Sequence, residues 1–246
     1  MDQIADQFEE IKDSDDSERI NDLILELVKA PAIEHLSYID YFIENSSKSI
    51  LQNIKINIFY LIGKIGTITT LENKYIIFFL EEYFKSDRWI RNEILGALEL
   101  IAINLKLPEE ANKVLEDALV DDYLSIRINA LSILLHYDKL PKLIFKNLIR
   151  AINLSSDSQL KKKFSLVIQK FFYSEKDLFN LLNYDDIYRI LNKSTIRTIL
   201  LIFFKSIINL ESFREIIINC EWENNYKEIF LKEIYTFEKI LLKSIY

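Results

Sequence analysis

The chain repeats itself. Asp87-Arg88-Trp89-Ile90-Arg91 opens the apolar run Ile94-Leu95-Gly96-Ala97-Leu98, and Asp122-Tyr123-Leu124-Ser125-Ile126-Arg127 opens Ala130-Leu131-Ser132-Ile133-Leu134. A shift of 36 residues lays Ile90 on Ile126, Arg91 on Arg127, Leu95 on Leu131 and Leu98 on Leu134. The same apolar-basic pair recurs as Ile54-Lys55, Leu160-Lys161 and Ile196-Arg197. Basic residues therefore fall at 55, 91, 127, 161 and 197, with Arg19 another 36 residues upstream and Lys232 another 35 downstream. A period in this range marks a stack of similar units, because one unit cannot bury its apolar face alone. The expectation is an all-α chain, a right-handed α-solenoid of about six helix pairs in which residues 1–246 form one domain.

Composition supports helices over strands. Only 3 Gly and 3 Pro occur in 246 residues, too few turn-formers for an all-β chain and too few glycines for the loops of a βαβ chain. Abundant Ile, 16 Phe and 13 Tyr would alone favour strands. Spacing overrides that propensity, since the apolar residues recur at three and four rather than at two. With 50% hydrophobic residues there is ample material for a core. The single cysteine, Cys220, leaves no intrachain disulfide and fits a reducing compartment. Met1-Asp2-Gln3-Ile4 lacks the basic-then-apolar pattern of a signal peptide, and the longest charge-free run, residues 128–137, is too short to span a bilayer. A cytoplasmic protein without a membrane span is expected.

In chain order, Ile4, Phe8 and Ile11 share one face of a short acidic helix, read as an N-terminal capping helix over residues 1–13. Second helices of the repeat are expected to begin near Ser17, Ser49, Asp87, Tyr123, Asp157 and Ser194. First helices are expected near Ile33, Leu71, Pro108, Pro141 and Glu175, the prolines at first helical positions where the missing N–H is no loss. Thr69-Thr70-Leu71-Glu72 and Ser174-Glu175-Lys176-Asp177 have the spacing of reciprocal hydroxyl–carboxylate caps. Asn183-Tyr184-Asp185-Asp186 reads as a break within a unit. Residues 225–246, with Ile229, Phe230, Ile234, Phe237, Ile240 and Leu241, read as an apolar C-terminal capping helix.

An aspartate followed by Ile-Arg at the opening of a second helix, with Ala/Leu-rich spacing after it, resembles HEAT and HEAT-like repeats. The resemblance covers most of residues 14–246 and is clearest at 87–104 and 122–137. It implies a structural ladder in which Asp87, Asp122 and Asp157 and the basic residues Arg19, Lys55, Arg91, Arg127, Lys161 and Arg197 bridge neighbouring turns. It also implies an interaction scaffold rather than an enzyme, whose second helices line a concave surface for another protein. Trp89, Asn92, Glu93, Asn129 and Thr198 are the residues expected to meet that partner. The alternative is a HEAT-like enzyme of the alkylpurine DNA glycosylase type, with Asp87, Trp89 and Trp222 cast as its site.

Chemistry-bearing constellations are sparse. The two histidines, His35 and His136, lie in different units, and no pair has metal-ligand spacing or a nucleophile–base arrangement, so neither metal nor cofactor is expected. Gly63 and Gly66 read as a helix C-cap rather than a phosphate cradle. Charge is asymmetric: residues 1–123 hold 12 Lys+Arg against 25 Asp+Glu, and residues 124–246 hold 19 against 13. Within the basic half, Lys139, Lys142, Lys146 and Arg150 are spaced as one helix face, followed by Lys161-Lys162-Lys163 and Lys170, a candidate anion-binding stripe. Nucleic acid is not the expected partner, because the whole chain is acidic and the stripe has few interleaved aromatics.

Overall fold

The computed structural model describes residues 3–155, 157–206 and 209–244, and all regular structure among them is helical. The chain divides into two compact units, Met1–Val114 and Leu115–Tyr246. The first unit contains α1 (Gln3–Ile11), α2 (Ser17–Lys29), α3 (Leu36–Asn45), α4 (Lys48–Gly66), α5 (Asn73–Tyr83) and α6 (Arg88–Ile101). The division falls within α7 (Ala111–Ala118). The second unit continues with α8 (Leu124–Leu134), α9 (Phe145–Asn153), α10 (Ser158–Phe171), α11 (Glu175–Asn183), α12 (Lys193–Ser206), α13 (Leu210–Asn219) and α14 (Asn224–Ser244).

Second helices start within a residue of their expected positions, because side-chain caps fix those starts. Asp16, Ser47, Asp87 and Asp157 each accept from backbone N–H groups in the first turn of α2, α4, α6 and α10. Each cap stabilises its helix by about 1 kcal/mol. Behind the caps the apolar stripe turns inward, as with Ile90, Ile94, Leu95, Leu98 and Ile101 of α6, all buried.

First helices mostly begin later than the sequence reading placed them. Tight turns precede α3, α7 and α9, with His35 N–H donating to Ala32 at 3.1 Å, Ala111 to Pro108 at 3.1 Å and Ile144 to Pro141 at 3.1 Å. The prolines thus open a turn and not the α-helix itself. At α5 the expected Thr–Glu cap is absent: Glu72 takes the N-cap position without a side-chain hydrogen bond. At α11 the hydroxyl half forms, Ser174 Oγ accepting from Asp177 N–H at 3.2 Å, while the Asp177 carboxylate reaches back to Tyr173 N–H at 3.0 Å. Helix α13 occupies a stretch where the repeat pattern gave no start.

Hydrogen bonds between residues about one period apart tie the elements together. In the first unit Asn53 donates to Ser17 at 3.3 Å and Asn57 to Asn21 at 2.7 Å, both pairs separated by 36 residues. A constant sequence difference at positions four apart means that α2 and α4 run parallel. Their companions α3 and α5 are tied at a similar offset, Asp40 accepting from Lys74 at 2.8 Å and from Tyr75 at 3.1 Å, 34 and 35 residues away. Burial, then the Asp40 carboxylate, pushes the Tyr75 hydroxyl up to about 12. In the second unit Arg197 meets Glu233, Trp222 meets Asn183, and Asn209 N–H donates to Glu175 at 2.6 Å.

Gly63 and Gly66 owe their places to this packing. Both are buried and Gly66 is the last residue of α4, so the helix does end where the sequence suggested, but the C-cap is Thr67 and no glycine has a positive φ, so neither glycine is itself the cap. A Cβ on Gly63 would stand 2.8 Å from Cα and Cβ of Ala97, and one on Gly66 would stand 2.6 Å from Cγ1 of Ile101. The glycines let α4 and α6 approach backbone to backbone.

The ends are closed differently. Helix α1 buries Phe8 and Ile11, with Phe8 packed on the rings of Tyr38, Tyr41 and Phe42, and leaves Asp6, Glu9 and Glu10 in solvent. Helix α14 buries Phe230, Ile234 and Phe237 but exposes Ile240; the side chain of Leu241, like residues 1–2 and 245–246 of the two expected caps, lies outside the described residues. The expected break after α11 is a 3-10 stretch, Tyr184–Ile190, in which Asp185 (φ 49°) and Asp186 (φ 53°) are left-handed. That conformation is unfavourable for a side-chain-bearing residue, and aspartate tolerates it better than most.

Two alanine substitutions separate the roles of the glycines. Gly96, in mid-α6, has nothing within 4 Å of a built Cβ, so Gly96→Ala should raise stability by about 1 kcal/mol through helix propensity. Gly63→Ala gains the same propensity but drives a methyl into Ala97, and should lose about 1–2 kcal/mol net. Urea denaturation of both variants checks the opposite signs.

Candidate functional site

Helices α2 and α4 carry two rows of paired side chains set by the 36-residue register, and by sequence α6 extends both. Ser17 and Asn53 form the first row, which Trp89 continues; Asn21 and Asn57 form the second, which Glu93 continues. Trp89, Asn92 and Glu93 lie three and four residues apart on α6 and so share a face. Trp89 is 56% exposed, with the Arg88 guanidinium 5.0 Å from the centre of its indole. Leu25 and Ile56 on α2 and α4 are also exposed. The sequence reading picked out Trp89 and Glu93 but not Ser17, Asn21, Asn53 and Asn57. Stepping the candidates back by one and two periods would have found them.

Asn129 on α8 and Thr198 on α12, in the second unit, are partly buried, and the Thr198 hydroxyl donates to the Ser194 carbonyl at 3.0 Å. That donor already serves its own helix.

The basic and acidic members of the expected ladder do different work. Lys55, 3% exposed, donates to Glu82 at 3.3 Å and to Ser86 at 3.2 Å. Arg197 forks onto the buried Glu233 carboxylate at 2.5 and 3.2 Å. Arg19 reaches Glu10 at 2.5 Å on the surface, and Arg91 sits 5.6 Å from the ring centre of Tyr83. Arg127 is buried with its Nε lacking a hydrogen-bond partner among the described residues, and Lys161 is half-buried. Asp87 and Asp157, by contrast, cap their own helices, and at α8 it is Asp121, not the exposed Asp122, that accepts from Tyr123 N–H at 2.8 Å. A carboxylate two or three residues from a free N–H closes that bond with little loss of freedom, which favours the cap over a longer reach.

The lysine stripe is not one helix face. Helix α9 begins at Phe145, so Lys139 lies in the preceding loop and Lys142 in a 3-10 turn. Only Lys146 and Arg150 share the helix; Lys146 is paired with Asp185 at 2.6 Å, and Arg150 donates to Asn147 at 3.3 Å. Lys162 is exposed, Lys161 and Lys163 are partly buried, and Lys170 donates to the Leu135 carbonyl at 2.6 Å. Aromatics are nearer than the stripe implied: Phe145 and the Phe171-Phe172-Tyr173 run line a cleft together with Lys139, Lys142 and Lys170.

The residues cast for base excision are placed unequally. Trp222 is 4% exposed, stacked on Tyr188 at 4.2 Å and Phe179 at 5.4 Å, with its indole N–H donating to Asn183 at 2.9 Å. It is a core residue and cannot present a face to a base. His35 is partly buried with Nδ1 unpartnered among the described residues, and His136 is exposed. No group of three or more His, Cys, Asp or Glu among the described residues could hold a metal ion, and no described helix is long and apolar enough to cross a membrane.

Two expectations follow from these charges. Arg197→Ala strands a carboxylate that is 3% exposed, whereas Glu233→Gln leaves an arginine that is already half in water. The first should lower the melting temperature clearly more than the second. Burial raises the Glu93 carboxyl above its usual range, against a smaller opposing pull from Lys64. The fold therefore favours the protonated form, and stability is lost as pH rises from the ordinary carboxylate value, about 4.3, through the raised one. Glu93→Gln should melt higher than the parent at neutral pH, with the difference shrinking as pH falls below that window.

No family model matches the chain, and no curated protein matches it. Among solved structures, a crystal structure described as that of an engineered protein, a target of the Northeast Structural Genomics Consortium, is similar over 96% of this chain and 98% of its own, with 15% sequence identity and a TM-score of 0.53. That likeness is one of fold alone.

Proposed function

We propose that the chain is a HEAT-like α-solenoid of about six helix pairs that serves as a non-enzymatic scaffold, holding another protein against a concave surface lined by its second helices. The observation that carries this reading is the pair of hydrogen bonds between side chains one period apart, Ser17–Asn53 and Asn21–Asn57, in rows that Trp89 and Glu93 continue by sequence one period further on. Such rows make a ribbed surface broader than any single helix offers, and repeat stacks use surfaces of this kind for binding. An exposed tryptophan flanked by an arginine is the anchor chemistry that dominates protein interfaces, and the surrounding asparagines supply donors and acceptors.

Cross-linking in a native extract, followed by mapping of the linked peptides, tests it. The wild-type chain should capture one protein in stoichiometric amount, with links on α2, α4 and α6. Trp89→Ala should lose about 2 kcal/mol of that binding. Undiminished capture by the Trp89 variant, or links confined to other surfaces, would sink the proposal. Release of alkylated bases from duplex DNA by the purified chain would establish the enzyme reading in its place.

A further inference from the structure

Within the second unit, a cleft of about 290 Å³ opens beside the approach to α9, the end of α10 and the body of α11. One wall is aromatic. Phe145 and Phe172 meet edge to face, ring centres 5.6 Å apart, and Tyr173 follows with 60% of its surface exposed. The cleft is also lined by three ammonium groups. Lys139 and Lys142 are exposed and have no ion pair among the described residues. Lys170 is fixed by its bond to the Leu135 carbonyl and lies 5.3 Å from the ring centre of Phe171.

Two carboxylates share the lining, Asp138 and Asp177, and the second is committed to the Tyr173 N–H at the head of α11. Lys146, one residue beyond Phe145, is instead paired with Asp185. The cleft therefore carries three lysines against two carboxylates, one of them already engaged, whereas the charge of Lys146 beside it is cancelled.

We infer that this cleft docks an acidic peptide segment of another protein, which packs one aromatic or large aliphatic side chain against Phe145 and Tyr173 and sets flanking carboxylates on Lys139, Lys142 and Lys170. Charge complementarity supplies the steering, and the apolar wall supplies the desolvated anchor that holds a partner once it arrives. A nucleic-acid strand suits the place less well. Its phosphates want a track of cations that continues past the cleft, and the next cation along the chain, Lys146, is already paired with Asp185. The cleft shares no residue with the rows on α2, α4 and α6 and stands or falls independently of them.

Fluorescence anisotropy with the full chain and a short labelled peptide of glutamates around one phenylalanine tests the inference at low salt. Saturable binding is expected, weakened about tenfold when the peptide's phenylalanine becomes alanine. The charge reversal K139E/K142E should weaken it about tenfold as well. N180W, which fills the cleft from an exposed position on α11 without altering charge, should abolish it, and K162E, outside the cleft, should leave it unchanged. Circular dichroism of each variant confirms an intact helical fold. Absence of saturable binding overturns the inference, as does indifference to the phenylalanine or an equal loss in K162E. Tighter binding of a single-stranded oligonucleotide of matched charge, with the same loss in K139E/K142E, would reassign the cleft to nucleic acid.

Discussion

A helix with one apolar stripe needs a second surface to cover it, and here α2 finds that surface on α4, and α4 on α6. The parallel lie of α2 on α4, read from the Ser17–Asn53 and Asn21–Asn57 bonds, is this requirement met at a fixed offset. The contact of Gly63 with Ala97 meets it at closer range, since the missing Cβ brings two backbones together. Apolar burial supplies the bulk of the free energy, roughly 1.5–3 kcal/mol for each large aliphatic or aromatic side chain taken fully from water. It is indifferent to register, however. The asparagine bonds between positions 36 residues apart set the register of α2 on α4, because a shift by one residue would break both together.

Polar side chains in this chain sort by the distance they must span. Asp16, Asp87 and Asp157 act within their own helices. Asp40, Glu82 and Glu233 act between elements. Lys55 and Glu233 are the costly members, charges almost fully removed from water and tolerable only because each has a partner. Arginine suits the exposed half of the Glu233 pair, since its planar fork takes both carboxylate oxygens at once.

Much of the helical layout was legible in the sequence because it rests on local chemistry. A capping aspartate or serine followed by apolar residues at three and four marks a second-helix start, and those starts fell within one residue. What local chemistry does not encode was misread. Gly63 looks like a terminator until Ala97, 34 residues away in sequence, is seen against it. Lys139 through Arg150 have helical spacing, yet Pro141 imposes a 3-10 turn that delays α9 to Phe145. The aspartates of the repeat carry the signature of a ladder but cap their own helices, because the nearest unsatisfied donor wins. Of the candidate surface, Trp89 and Glu93 were visible by type and spacing, whereas the asparagine rows behind them are mute until the period is applied to polar residues as well as to apolar ones.

In the repeat stack proposed above, a fixed offset between equivalent positions also makes length a stepped quantity. Removing a stretch equal to one full period, cut between matching points of two second helices, returns a chain whose remaining neighbours are of the kind they met before. A cut of half a period sets first helices against second ones and presents asparagines to leucines. Growth and loss in such a chain therefore proceed by whole modules, and any surface ruled into rows along it lengthens or shortens by the same increment.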